Sequence, residues 1–216
     1  MFKTELNNLL ETFKIGNYKD AEKIALNLST KYPSDNFLFK MLGAIFAQTG
    51  KLDKAVKANK KAIKLDPNDF QAKNNLGAIL IKLEKFNEAE KVLRQSIIIK
   101  PSFAEAYNNL GKALMELEKF DDAEIYLKQS ITLKNDYAEA HYNLGNVYKE
   151  LRKYDNAEIY LKKAVYLKPD FLEAYSNLSL IYIELGRLNE AENNSKQAAK
   201  IKPNNAIVHF NLANIL

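Results

Sequence analysis

The sequence predicts an all-α chain, a solenoid of antiparallel helix pairs stacked one after another. Three observations predict it: a fixed period, the place of every glycine and proline within that period, and apolar spacing of helical type inside each unit. The string NNLG at Asn74–Gly77 returns at Asn108–Gly111, and YNLG, SNLS and FNLA follow at Tyr142–Gly145, Ser176–Ser179 and Phe210–Ala213, each 34 residues after the last. Self-similarity at such a period marks a repeat architecture, which overrides the ordinary estimate of domain number from length. Counted from Phe2, complete repeats span 2–35, 36–69, 70–103, 104–137, 138–171 and 172–205, and a partial seventh covers 206–216, so that 1–216 reads as a single solenoid.

The first half of each repeat reads as a helix. In the repeat that opens at Ala138, Leu144, Val147, Tyr148 and Leu151 recur at three- and four-residue steps, the spacing of one helical face. Glu105, Glu139 and Glu173 sit in the first turn, where a carboxylate favours the helix dipole. Position 8 is glycine at Gly43, Gly77, Gly111 and Gly145, and its small size lets a second helix come close.

A turn follows at position 15, where Gly16, Gly50 and Gly186 supply a backbone conformation that other residues resist. In the Ala138 repeat the turn lies around Arg152–Lys153. The second helix carries alanine at position 20 in all six complete repeats, from Ala21 to Ala191, and a stripe such as Ala157, Tyr160, Leu161, Ala164 and Leu167. Position 27 is mostly small (Ala62, Ser96, Ser130, Ala164, Ala198), where the first helix of the next repeat is expected to pack. Proline at position 32, in Pro33, Pro67, Pro101, Pro169 and Pro203, ends the helix, because it lacks an amide donor and turns its predecessor out of helical geometry. Asn135 replaces that proline in the fourth repeat, so its second helix is expected to run straighter into the next. Each helix is about 13 residues, roughly 20 Å, too short to be stable alone and dependent on its neighbours.

These marks, with a large residue at position 4 (Phe39, Tyr107, His141, Tyr175) and leucine at position 7, resemble the tetratricopeptide repeat (TPR) family over the whole chain. The resemblance implies a right-handed superhelical solenoid whose first helices line a concave groove and whose second helices form the convex side. Positions 2, 5, 6, 9, 12 and 13 then face the groove. The first repeat departs from the pattern, with Asn8, Leu9 and Glu5 at signature positions, as a terminal repeat of a solenoid does.

The remaining residues bear on function. Position 6 is Asn7, Met41, Asn75, Asn109, Asn143, Asn177 and Asn211. A carboxamide offers one acceptor oxygen and two donor hydrogens, so a row of them can hold an extended peptide by its backbone, flanked here by Asn74, Asn108, Lys112, Asn146 and Lys149. The same row also serves simply to solvate the groove. It is similar to the repeat arm of O-linked N-acetylglucosamine transferases, and arms of this kind precede glycosyltransferase, sulfotransferase or oxygenase domains. The family's two-carboxylate clamp for acidic chaperone tails is absent from every run of three repeats; Lys40, for example, is followed by Ala44.

Composition narrows the classes further. The chain has no cysteine, hence no disulfide and no thiolate metal site, which fits a reducing cytoplasm. No stretch approaches the about 18 apolar residues of a membrane helix, and the amino terminus lacks the pattern of a signal peptide. The net charge of +5 is mild, so no nucleic-acid partner is expected. The charge is uneven: the second and third repeats together carry +7 and the fourth −3. Lys51, Lys54, Lys57, Lys61 and Lys64 share one face of a second helix, where they solvate the outer surface or meet an acidic partner or RNA. His141 and His209, the two histidines, both fall at position 4 and read as packing residues. All glycines belong to the repeat, leaving none for a phosphate loop. The expectation is a non-catalytic, cofactor-free scaffold for a protein or peptide, with a self-association edge at the partial repeat, where Leu212, Ile215 and Leu216 have no second helix to cover them.

Overall fold

The computed structural model describes residues 2–204, and within them every regular element is an α-helix. The elements are α1 (Phe2–Lys14), α2 (Tyr18–Lys31), α3 (Asn36–Gln48), α4 (Leu52–Leu65), α5 (Phe70–Lys82), α6 (Phe86–Ile99), α7 (Ala104–Glu116), α8 (Phe120–Leu133), α9 (Ala138–Glu150), α10 (Tyr154–Leu167), α11 (Leu172–Glu184) and α12 (Leu188–Ile201). Odd-numbered helices start at positions that follow the 34-residue period, so the first and second helices of the sequence reading are the odd and even elements. The chain forms two compact units, Met1–Ala113 and Leu114–Leu216. The partial seventh repeat, with His209 and Asn211, lies outside the described residues.

The turn inside each repeat is one motif. The amide of position 15 donates to the carbonyl of position 12, and that of position 16 to position 11. Examples are Glu84 to Ile81 at 3.0 Å with Lys85 to Leu80 at 2.9 Å, and Arg152 to Lys149 at 3.0 Å with Lys153 to Tyr148 at 2.8 Å. This is the Schellman closure, which needs a left-handed residue after the helix. Gly16, Gly50 and Gly186 fill that place, but so do Glu84, Glu118 and Arg152, with φ of 57°, 58° and 55°. The turn is therefore imposed by hydrogen bonding and packing, not by glycine alone. Contrary to the sequence expectation, α8 does not run on past the missing proline. It has the same 14 residues as α6 and α10, and Asn135 lies in the exit loop as its proline counterparts do.

The two helices of a repeat meet at position 8 of the first and position 24 of the second. In the first unit, a Cβ added to Gly77 would overlap Leu93, whose side chain fills the gap, and one added to Gly43 would overlap Asn59. Leu9 reverses the arrangement, because position 24 is there Ala25, and both are fully buried in one core. In the second unit a Cβ at Gly145 would stand 2.7 Å from Leu161 Cγ. Ser179 replaces glycine in the sixth repeat, and its hydroxyl lies 2.7 Å from that of Ser195 and donates to the Ala191 carbonyl. Large faces small, or two small polar groups pair, so the departure at Leu9 preserves the rule of close packing.

Adjacent repeats are also joined by charge. Within the first unit Lys51 binds Glu22 at 2.6 Å. Within the second, Glu158 accepts from Arg187 at 2.6 Å, from Lys162 and from the Tyr182 hydroxyl at 3.0 Å, and Glu124 accepts from Tyr148 and Lys128.

Because an L-residue in left-handed geometry costs roughly 1–2 kcal/mol, Arg152→Gly is expected to stabilise the chain by about 1 kcal/mol in urea unfolding, and Gly50→Ala to destabilise it by a similar amount.

Candidate functional site

The sequence-derived site residues fall into two local groups. In the first unit, α5 and α7 present Asn74, Asn75, Asn108, Asn109 and Lys112. Asn109 Nδ2 donates to Asn74 Oδ1 at 2.9 Å, and Asn108 Nδ2 lies 3.5 Å from Asn109 Oδ1. Asn74 and Asn108 are buried, Asn109 is half-buried and Lys112 exposed. The amides here are bound to one another, so part of their capacity is spent inside the protein.

Asn75 differs. It is half-buried and enters none of these pairs. It lines a recess of about 160 Å³ between α3 and α5. The recess is floored by small residues, Gly43, Ala44, Ala47 and Ala78, with Gln48 and Lys82 at its edge. These are positions 6, 8, 9, 12 and 13 of the repeat, so the pattern of small residues opens the space and the polar residues surround it. Lys40, which stands where the two-carboxylate clamp would need a lysine, is held by Asp69 at 2.9 Å and by Gln71 at 2.9 Å. Its charge is already met.

In the second unit, α9 and α11 carry Asn143, Asn146, Lys149 and Asn177. Asn177 Nδ2 donates to Asn146 Oδ1 at 2.6 Å. Asn143 and Asn146 are buried and Asn177 half-buried. Tyr142 stands beside this pair; burial pushes its phenol up, against the opposing effect of Asn146 and Asn177. Lys149 pairs with Glu150 at 3.2 Å and lines an open recess of about 380 Å³ with Arg152, Leu180 and Glu184. Asn211 lies outside the described residues.

His141 packs as its position implies. Its ring stacks on Tyr160 at 6.0 Å and its Nε2 lies 2.9 Å from the Asn135 carbonyl. A carbonyl can only accept, so Nε2 carries the hydrogen, and Nδ1 is buried without a partner. Burial pushes the imidazole below its ordinary value, although the Asn135 carbonyl favours the charged form.

Sequence reasoning missed the ion pairs between repeats and the pairing of positions 8 and 24. The ion pairs left a signal in glutamate at position 21 (Glu22, Glu90, Glu124, Glu158 and Glu192) and a basic residue at position 16 (Lys51, Lys85, Lys119, Lys153 and Arg187), and the helix pairing left one in the complementary sizes of Leu9 with Ala25, Gly77 with Leu93 and Gly145 with Leu161. Among the described residues there is no group of three His, Asp or Glu able to hold a metal ion, and no helix long and apolar enough to cross a membrane.

Repeat profiles agree with the helix pairs. The TPR repeat profile matches residues 43–83, 77–118, 112–151 and 180–216, and a tetratricopeptide repeat profile matches 138–171. The chain belongs to the tetratricopeptide repeat family. A search of the curated proteins found no match. Among solved structures, MamA is similar at 31% identity and a TM-score of 0.64, over 75% of this chain and 95% of that one. A thermophilic TPR protein of Thermus thermophilus is similar at 26% identity and a TM-score of 0.72, over 84% of this chain and 98% of that one. The APC/C hetero-tetramer Cut9–Hcn1 shares the fold at 20% identity and a TM-score of 0.93 over 100% of this chain, which spans 43% of that chain.

The titration of His141 gives a test. A histidine whose folded pKa lies below the unfolded 6.5 contributes stability that is present above that value and lost as pH falls through the folded one. Glu158 acts in a lower window. Burial raises its carboxyl, but hydrogen bonds from Lys162, Arg187 and Tyr182 outweigh burial and hold it below 4.5, so its contribution is lost only as pH falls below that range. Unfolding of His141→Phe is expected to depend less on pH than the parent as pH falls below 6.5, and Glu158→Gln to differ from the parent in pH dependence only in the more acidic range.

Proposed function

We propose that the chain is a non-catalytic scaffold that holds an extended protein segment, in its first unit, on the face formed by positions 6, 9, 12 and 13 of α3 and α5. The observation that carries this reading is the recess at Asn75. It combines a floor of glycine and alanine with an amide that has donors and an acceptor to spend on a peptide backbone. Gln48 and Lys82 add polar groups at its edge. Membership of a repeat family whose proteins bind protein or peptide partners agrees with it.

The paired amides at Asn74–Asn109 have a supporting part in this proposal, and Asn146–Asn177 repeats the pairing within the second unit. They fix the orientation of neighbouring groups, while Asn75 and the exposed lysines meet the ligand. The likeness to transferase arms rests on the asparagine row alone, and the scaffold reading does not depend on it.

The test is selection of peptides on the immobilised chain from a random library, followed by affinity measurement against variants. Asn75→Ala is expected to weaken the selected peptides about 10-fold, the loss of one or two buried hydrogen bonds, and Ala44→Leu to abolish binding by filling the recess. Peptides whose affinity is indifferent to both changes would refute the site.

A further inference from the structure

The outer side of the second repeat differs from the others in its charge pairing. From the third repeat on, position 21 is glutamate and neutralises the basic residue four places later: Glu90 with Arg94, Glu124 with Lys128, Glu158 with Lys162 and Glu192 with Lys196. The second repeat has Val56 at that position. The α4 helix then carries Lys54, Lys57, Lys60, Lys61 and Lys64 against a single acid, Asp53. Each of these lysines is exposed, and no carboxylate among the described residues forms an ion pair with any of them.

Beneath them lies a groove of about 280 Å³ between α2, α3 and α4. Its floor is apolar, made by Leu26, Phe39, Leu42 and Phe46, and its rim is Lys54, Lys57 and Lys61. Leu26 is 45% exposed, so the floor keeps apolar surface in contact with water. Lys54 Nζ stands 5.8 Å from the Phe46 ring and Lys61 Nζ 5.6 Å from the Phe39 ring, so the ammonium groups hang over the apolar floor.

We infer that this groove is a second docking site, for an acidic segment of a partner protein that also carries bulky apolar side chains. Charge complementarity selects the acid, because a carboxylate entering at the rim meets several unpaired ammonium groups at once. The floor selects the apolar residue, since filling it removes the exposed surface of Leu26 from water. Lys54, Lys57, Lys61 and Lys64 follow steps of three and four, so an amphipathic helix laid along α4 presents its acids at matching intervals over roughly 15 Å. RNA fits the lysines but not the floor. Base stacking needs an open ring face, whereas Phe46 is only 7% exposed and the Lys61 ammonium stands over the half-buried ring of Phe39.

The test is fluorescence anisotropy of the full chain with a labelled amphipathic peptide of about 14 residues, glutamate and leucine at helical spacing. Two companions replace glutamate by glutamine or leucine by serine, and a twelve-nucleotide oligouridine serves as the RNA probe. The acidic–apolar peptide is expected to bind, with each companion and the RNA at least about 10-fold weaker. The variant Lys54→Gln/Lys57→Gln/Lys61→Gln is expected to lose binding, and Lys200→Gln to keep it. No binding of the parent peptide overturns the inference. So does equal binding of the serine companion or the RNA, or retention of binding by the triple variant. Sedimentation of the chain alone completes the test: self-association abolished by the triple variant would make the occupant a second copy and refute the proposed partner.

Discussion

The structure depends on how closely the two helices of a repeat can approach at positions 8 and 24. A helix pair of 13 and 14 residues has little stability of its own. It gains it by burying one face against its neighbour, and the axes draw together only where one of the facing side chains is small. Gly77 beneath Leu93 and Gly145 beneath Leu161 show one solution; Leu9 with Ala25 and Ser179 with Ser195 show two others. The constraint acts on the pair, so glycine is one way to meet it and not the requirement itself. Overpacking such a contact costs typically 1–3 kcal/mol, occasionally more.

Once the pair is closed, the other features take their places. The Schellman turn follows from the length of the first helix and the return angle, and it holds Glu84, Glu118 and Arg152 in left-handed geometry with glycine absent. The bridges from position 21 to position 16 of the next repeat, at Glu22–Lys51 and Glu158–Arg187, tie neighbouring pairs. The remaining positions of each first helix are freed from packing duty. On α3 and α5 their small residues leave the recess beside Asn75; on α5 and α7, and again on α9 and α11, their amides pair across helices. Surface chemistry thus varies from repeat to repeat while the packed positions stay fixed.

This division explains what is legible in the sequence. The period, the helix pairs and the close approach at the small residue of position 8 are legible because each recurs in phase. The end of α8 is not. Asn135 reads as a missing stop signal, yet the turn bonds and the packing of the next helix end α8 anyway. The asparagine row is visible, but its division into paired amides and an unpaired Asn75 is not. That division depends on which helix lies opposite, and the pairs join different positions, 6 to 5 at Asn109–Asn74 and 6 to 9 at Asn177–Asn146. Likewise the lysines of α4 are plain in the sequence, while the apolar floor beneath them requires Leu26 of α2 and Phe39 of α3 to be brought together by the packing of those helices.

The pairing rule is tested most directly by rebuilding the third repeat on the plan of the first. Gly77→Leu alone must force Leu93 aside and is expected to destabilise the chain by about 3 kcal/mol; Leu93→Ala alone leaves a cavity and costs about 3 kcal/mol. The double variant reproduces the Leu9–Ala25 arrangement. Urea unfolding of all four proteins gives the coupling between the two sites. The account predicts that the double variant is more stable than either single variant. Losses that simply add would contradict it, because the two positions would then be independent.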